Sequence, residues 1–249
     1  MDDAGVPGWW QQLGLPGLID VHVHFMPAPV MDAVWRFFDD AERHYGTAWP
    51  VHYRTSEAER VLTLKALGVR AFGSLLYPHK PGMAESLNGW AADFAARTPG
   101  CVQTGTFFAE PSAPRYVRAA LDAGARVFKV HVQVGDFDPR SAELTPVWGM
   151  LAEAAVPVVV HCGSGPLPGR HTGPGPFGAV LAAHPRLTAV IAHCGAPEYR
   201  EHLELVRRYP NVHLDTTMVG TGFMNALAPV PSDVVAAYGD LAERIVLGT

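Results

Sequence analysis

Eight short runs dominated by aliphatic, aromatic and β-branched residues recur along the chain: LIDVHVH (18–24), VRAFGSLLY (69–77), VQTGTFF (102–108), RVFKVHV (126–132), VPVVVHC (156–162), LTAVIAHC (187–194), VHLDTT (212–217) and RIVLGT (244–249). They are apolar almost throughout, the pattern of strands buried on both faces in a parallel sheet covered by helices. Between them the spacing turns helical. Ser56 and Glu59 form a capping box ahead of a helix that stops at Gly68, and Ser112 precedes another that ends at Gly124. Thr145 with Pro146 opens a third and Ser232 a fourth; helices are also expected over 84–97, 177–184 and 199–209. Eight rounds of strand and helix predict an α/β fold, a closed (β/α)8 TIM barrel rather than an open sheet. Two irregular stretches follow strands and therefore lie on the catalytic face: residues 25–55, an insertion expected to form part of the pocket wall, and GSGPLPGRHTGPGPFG (163–178).

Composition narrows this picture. The 249 residues suit one barrel domain, 1–249, and 48% hydrophobic with 17% charged residues excludes a disordered chain. A net charge of −5 argues against a nucleic-acid partner, and no apolar run approaches the ~20 residues of a membrane helix. Three cysteines at unrelated spacings do not make a disulfide framework, and the N-terminus lacks the regions of a signal peptide, so a cytoplasmic protein is expected. Twelve histidines hint at metal chemistry.

Strand ends are where that chemistry would collect. In a strand, side chains alternate faces, so His22 and His24 would share one face with Val21, Val23 and Phe25 on the other. His22 and His24 end the first run, Lys129 and His131 the fourth, His161 the fifth and His193 the sixth. Histidines satisfied within a core or on a surface would not converge on one rim; barrel enzymes draw their functional residues from that rim.

The segments DVHVHFMP, FKVHVQVGDFDP, VVVHCG, AVIAHCGAPE and VHLDTT, in order over nearly the whole chain, resemble the amidohydrolase-related family, the branch of the amidohydrolase superfamily that includes aminocarboxymuconate semialdehyde decarboxylase. The resemblance implies one divalent metal ion, zinc foremost, held by His22, His24 and His161, with His193 activating water or meeting substrate. Lys129 is open to two roles, a carboxylated bridge between two ions or a contact to a substrate carboxylate or acidic neighbour; one metal is favoured. His131 would line the pocket or bond a neighbour from behind. His79, with Lys80, could meet an anionic substrate, and His171 could close over the site.

One departure stands out. The family keeps an aspartate directly after a terminal GT or GS pair of the eighth strand, and this sequence stops at Gly248-Thr249. A chain that continues beyond this point is expected, with Ile245 and Val246 under-protected where an eighth helix would lie. Asp215 reads as a poor substitute, Cys162 and Cys194 as packing residues, Trp9 and Trp10 as a plug or an interface, and His44, His52, His184 and His202 as surface residues. The leading function is a metal-dependent hydrolase acting on a small carboxylated or cyclic substrate. The alternatives are a metal-dependent non-oxidative decarboxylase and a silent ligand-binding barrel, and oligomeric state is open, a homodimer included.

Overall fold

A computed structural model describes residues 3–49 and 51–249. Its strands are β1 (Leu18–Asp20), β2 (Val69–Gly73), β3 (Cys101–Val102), β4 (Thr104–Thr106), β5 (Val127–His131), β6 (Val158–His161), β7 (Ala189–Ile191), β8 (Val212–Asp215) and β9 (Ile245–Val246). All pair in parallel, β1-β2-β3 in one ladder and β4 through β9 in another. The third apolar run is therefore not one strand. It breaks at Gln103, its first half pairing with β2 and its second with β5. A Ser74–Thr104 hydroxyl contact of 2.9 Å spans the break. The ring closes where the Val21 N–H donates to the Leu247 carbonyl at 2.9 Å. Together these make a (β/α)8 barrel with eight strand positions, as expected from the alternation.

Beta-branched residues crowd the strands, three valines preceding His161 in β6, because both faces of each strand are covered. Outward residues such as Val158, Val160, Leu214 and Ile191 join the large core beneath the helices. Inward residues Leu75, Val159, Val190 and Ala192, with Val21, Val127 and Val246, fill the barrel's interior. Each fully buried aliphatic chain contributes about 1.5–3 kcal/mol by leaving water.

Local signals account for most helix boundaries. The Ser56 hydroxyl accepts the Glu59 N–H at 3.3 Å while the Glu59 carboxylate accepts the Ser56 N–H at 2.9 Å, so the capping box opens Glu57–Ala66. Gly68, at φ +88°, ends that element, and a side chain there would strike the Trp10 indole, whose Nε1 donates to the Leu67 carbonyl. Trp10 thus caps the rim away from the strands' C-terminal ends, while Trp9 is exposed. Ser112 differs from expectation: its hydroxyl makes no capping bond and the helix Ala113–Asp122 starts without it. The insertion folds into helices Ala28–Asp39 and Ala41–Tyr45, and its Trp49 ring meets Phe223, beyond β8, at 4.2 Å. It walls a cavity of about 480 Å³ lined by Met26, Met31, Trp35 and Arg60.

Two expectations are corrected here. Strand β1 ends at Asp20 rather than at His24, and Val21 packs into the interior while Val23 and Phe25 pack outward. Beyond the strand the buried Asp20 carboxylate accepts the N–H groups of His22 and Thr249 and the Thr249 hydroxyl, fixing the irregular backbone that carries His22. His202 is buried rather than superficial: its Nδ1–H donates to the Glu198 carbonyl one helical turn back, and its Nε2 lies 3.7 Å from the Cys162 thiol. Cys162 and Cys194 are buried in the outer core, and Ile245 and Val246 are half-buried.

Candidate metal centre

Four imidazoles meet at the C-terminal end of the strands, and the outer nitrogen of each has a hydrogen-bond partner. His22 Nδ1–H donates to the Asp215 carboxylate at 2.8 Å and His24 Nδ1–H to the Leu75 carbonyl at 2.7 Å. His193 Nδ1–H donates to the Thr217 carbonyl at 2.9 Å and His161 Nε2–H to the Gly165 carbonyl at 3.0 Å. A carbonyl or carboxylate only accepts, so the proton of each neutral ring sits on that outer nitrogen. The inner nitrogens are then bare lone pairs, and they face one another: His22 Nε2 to His24 Nε2 at 3.2 Å, His161 Nδ1 to His193 Nε2 at 3.1 Å. Opposed lone pairs at such distances repel unless a cation lies among them. The donor set therefore fits a metal, and backbone or carboxylate partners behind the rings are the usual means of fixing ligand tautomers.

The compact cluster differs from the expected trio. One ligand atom from each of His22, His193 and Asp215 lies within 4.8 Å of the others, whereas His24 joins through His22 and His161 through His193. The His22 and His193 rings, 5.1 Å apart, link the two pairs. Asp215 is well placed yet heavily engaged, accepting from His22 Nδ1, His193 N and Thr217 N. Three of a carboxylate's roughly four lone-pair sites are thus used to orient its neighbours.

Electrostatics agree with neutral rings. Burial and Lys129 lower His22, and burial with the neighbouring imidazoles and Lys129 lowers His24 and His161 well below the usual histidine range and His193 to about 4. Burial would raise the Asp215 carboxyl, but the His22 ring and the His193 backbone amide outweigh it and hold it far below the usual range. Lys129 is fully buried, its Nζ 3.3 Å from His22 Nε2, and burial pushes it down to about 8. It meets one of the four lone pairs.

Of the remaining candidates, His131 stays at the centre and His79 and His171 lie away from it. His131 accepts the Val134 N–H on Nδ1 and stacks on His161, centroids 3.8 Å apart. His79 is exposed on the turn after β2, and His171 lies 3.8 Å from Asp138 on the neighbouring loop. Tyr77, unremarked in the sequence, packs between His24 (5.3 Å) and His131 (5.0 Å). Its signal was position, since it ends the second apolar run.

Backbone strain marks the centre. His193 and Cys194 sit at φ +56° and +50° in a short turn after β7, a conformation that costs non-glycine residues energy and concentrates at functional sites. A Cβ at Gly248 would collide with Thr217 and His22, so the segment after β9 can pass this close only as glycine.

The amidohydrolase family model matches residues 19–249. The chain belongs to that family. Among solved structures, the amidohydrolase chain is similar to an uncharacterised TIM-barrel protein from Bordetella bronchiseptica, with a TM-score of 0.71 and 20% identity over 93% of this chain and 85% of that one. It is also similar to 5-carboxyvanillate decarboxylase from Sphingomonas paucimobilis, at 0.61 and 15% over 94% and 88%. A probable 2-pyrone-4,6-dicarboxylic acid hydrolase from Acinetobacter baumannii follows the same barrel, at 0.57 and 12% over 94% and 83%. At these identities the likeness establishes the fold. No curated protein sequence matches the chain. No described helix is long and apolar enough to cross a membrane.

Proposed function

We propose that this amidohydrolase is a metal-dependent hydrolase of a small carboxylated or cyclic substrate, with zinc as the foremost candidate ion and His22, His24 and His161 as its ligands. The observation that carries the reading is the set of four imidazole lone pairs turned toward one another by outer hydrogen bonds. A divalent ion held there would supply Lewis acidity and lower the pKa of water at the site toward neutrality.

The chain's own residues do the rest. His193, with its Nδ1–H fixed on Thr217, keeps Nε2 free to take a proton from the attacking water and return it to the leaving group. Asp215 holds the His22 ring and the His193 backbone at once, so the ligand and the base keep one relative geometry. Lys129, beneath His22, contributes positive charge from below rather than a contact at the open mouth.

Non-oxidative decarboxylation is the second reading, because the same His193 nitrogen could deliver a proton to a ring carbon, and the similar structures include a named decarboxylase as well as a probable hydrolase. Incubating the zinc-loaded protein with lactones and aromatic carboxylic acids separates the two: acid release without carbon dioxide supports hydrolysis, and carbon dioxide release supports decarboxylation. Either reading requires about one metal ion per chain, falling to background in a His22→Ala, His24→Ala variant that remains folded. A wild-type protein that takes up no metal would leave a ligand-binding barrel.

A further inference from the structure

Six aromatic rings form a closed circuit around the barrel mouth. Centroid separations run His22–His24 4.9 Å, His24–Tyr77 5.3 Å, Tyr77–His131 5.0 Å, His131–His161 3.8 Å, His161–His193 4.8 Å and His193–His22 5.1 Å. Four members present lone pairs inward. The other two, Tyr77 and His131, are adjacent and form the edge opposite His22–His193. Their chemistry is the reverse of the other four. His131 Nδ1 is already an acceptor for the Val134 N–H, so its neutral ring carries the proton on Nε2, a donor. Tyr77 adds a phenolic O–H, and no protein hydrogen bond engages that hydroxyl or His131 Nε2 among the described residues.

We propose that Tyr77 and His131 are a substrate-positioning pair: two neutral donors that hold a carboxylate or carbonyl oxygen of the substrate at the edge of the circuit flanked by His24 and His161. The inference rests on the proposed metal-dependent reading and specifies the end of the substrate that reading leaves open. Lys129 cannot fill this role, because it is fully enclosed against His22. The stacked His131–His161 rings fix the donor's plane relative to a candidate ligand, so an oxygen held by the pair is held in register with the metal.

The test uses the full zinc-loaded chain and benzoate as probe, with benzyl alcohol as its uncharged counterpart, followed by calorimetric titration alongside elemental analysis. Benzoate is expected to bind the wild type and to bind Tyr77→Phe about tenfold more weakly, the loss of one hydrogen bond to a charged acceptor. Benzyl alcohol binding is expected to change less than twofold, with metal content unchanged. Tyr77→Leu, which removes ring and hydroxyl together, should weaken benzoate no less than Tyr77→Phe does. On benzoate addition, the His131 Nε2 proton resonance should shift. Unaltered benzoate affinity in a fully metal-loaded Tyr77→Phe, weakening seen only in Tyr77→Leu, or no benzoate binding to the wild type would each overturn the pair's role without touching the metal reading. A wild type devoid of metal would instead strike the metal reading, and the same titrations on that protein would still report on the pair.

Discussion

Two layers of the barrel interior, separated by two residues or roughly 7 Å along β6 and by four residues or roughly 13 Å along β5, could hardly differ more. The lower layer carries Val127 and Val159, packed with Leu75, Val190 and Val246. The upper carries His131 and His161, with His22, His24 and His193 joining from the neighbouring strand ends. The aliphatic layer gains free energy from every group it buries and needs no particular partner. The imidazole layer buries polar atoms, satisfies each on its outer side, and leaves the inner nitrogens mutually repelling. The first layer is what a stable barrel requires; the second is a cost that makes sense only if something else occupies the centre.

Acid should expose this difference most strongly. A buried ring whose folded pKa is lowered stays neutral while the unfolded chain, near 6.5, takes up a proton, so stability is lost as pH falls through 6.5 and the loss levels off below the folded value. For His193, lowered to about 4, moving from pH 7 to pH 5 removes about 2 kcal/mol from the metal-free protein, and His22, His24, His161 and His131 act in the same direction. Urea unfolding of the metal-free protein at the two pH values measures it. Equal stability at pH 5 and pH 7 would mean that the upper layer is not held neutral and is no more costly than the lower.

The next effect isolates orientation from ligation. Asp215→Asn keeps the shape but replaces a charged acceptor for His22 Nδ1, His193 N and Thr217 N with a weaker amide. Loss of such an outer partner lowers metal affinity by about 10–100-fold, read by competition with a chromophoric chelator. Unchanged affinity would show that Asp215 does not set the tautomer of His22.

How much of this could be read from the residues divides along the same line. The strands, the barrel and the helix Glu57–Ala66 were legible because each rests on local pattern: runs of valine, a capping box, a stop glycine. The convergence of His22, His24, His161 and His193 was legible from strand-end position, even though β1 ends at Asp20 and His22 and His24 meet on irregular backbone. What was not legible depends on contacts between distant segments. The His22, His193 and Asp215 cluster needs β8 to lie beside the turn after β7, and the burial of His202 needs its helix to dock against Cys162. The break at Gln103 reflects competition between β2 and β5 for one run, which no single run encodes.

The smallest effect tests the lower layer alone. Val159 is 1% exposed and lies one residue pair below His161 on the same strand. Val159→Ala deletes two buried methyl groups and leaves a cavity at the barrel's centre, which costs about 2 kcal/mol. Because no titrating group is involved, this cost should be the same at pH 5 and pH 7, measured by urea unfolding of the metal-free variant beside the wild type. Metal affinity should stay within about threefold, because the four imidazoles take their positions from hydrogen bonds to Asp215, Leu75, Gly165 and Thr217 rather than from the valine beneath. A large fall in metal affinity in Val159→Ala would break the separation, since the imidazoles would then be propped from below by packing instead of held from outside by hydrogen bonds.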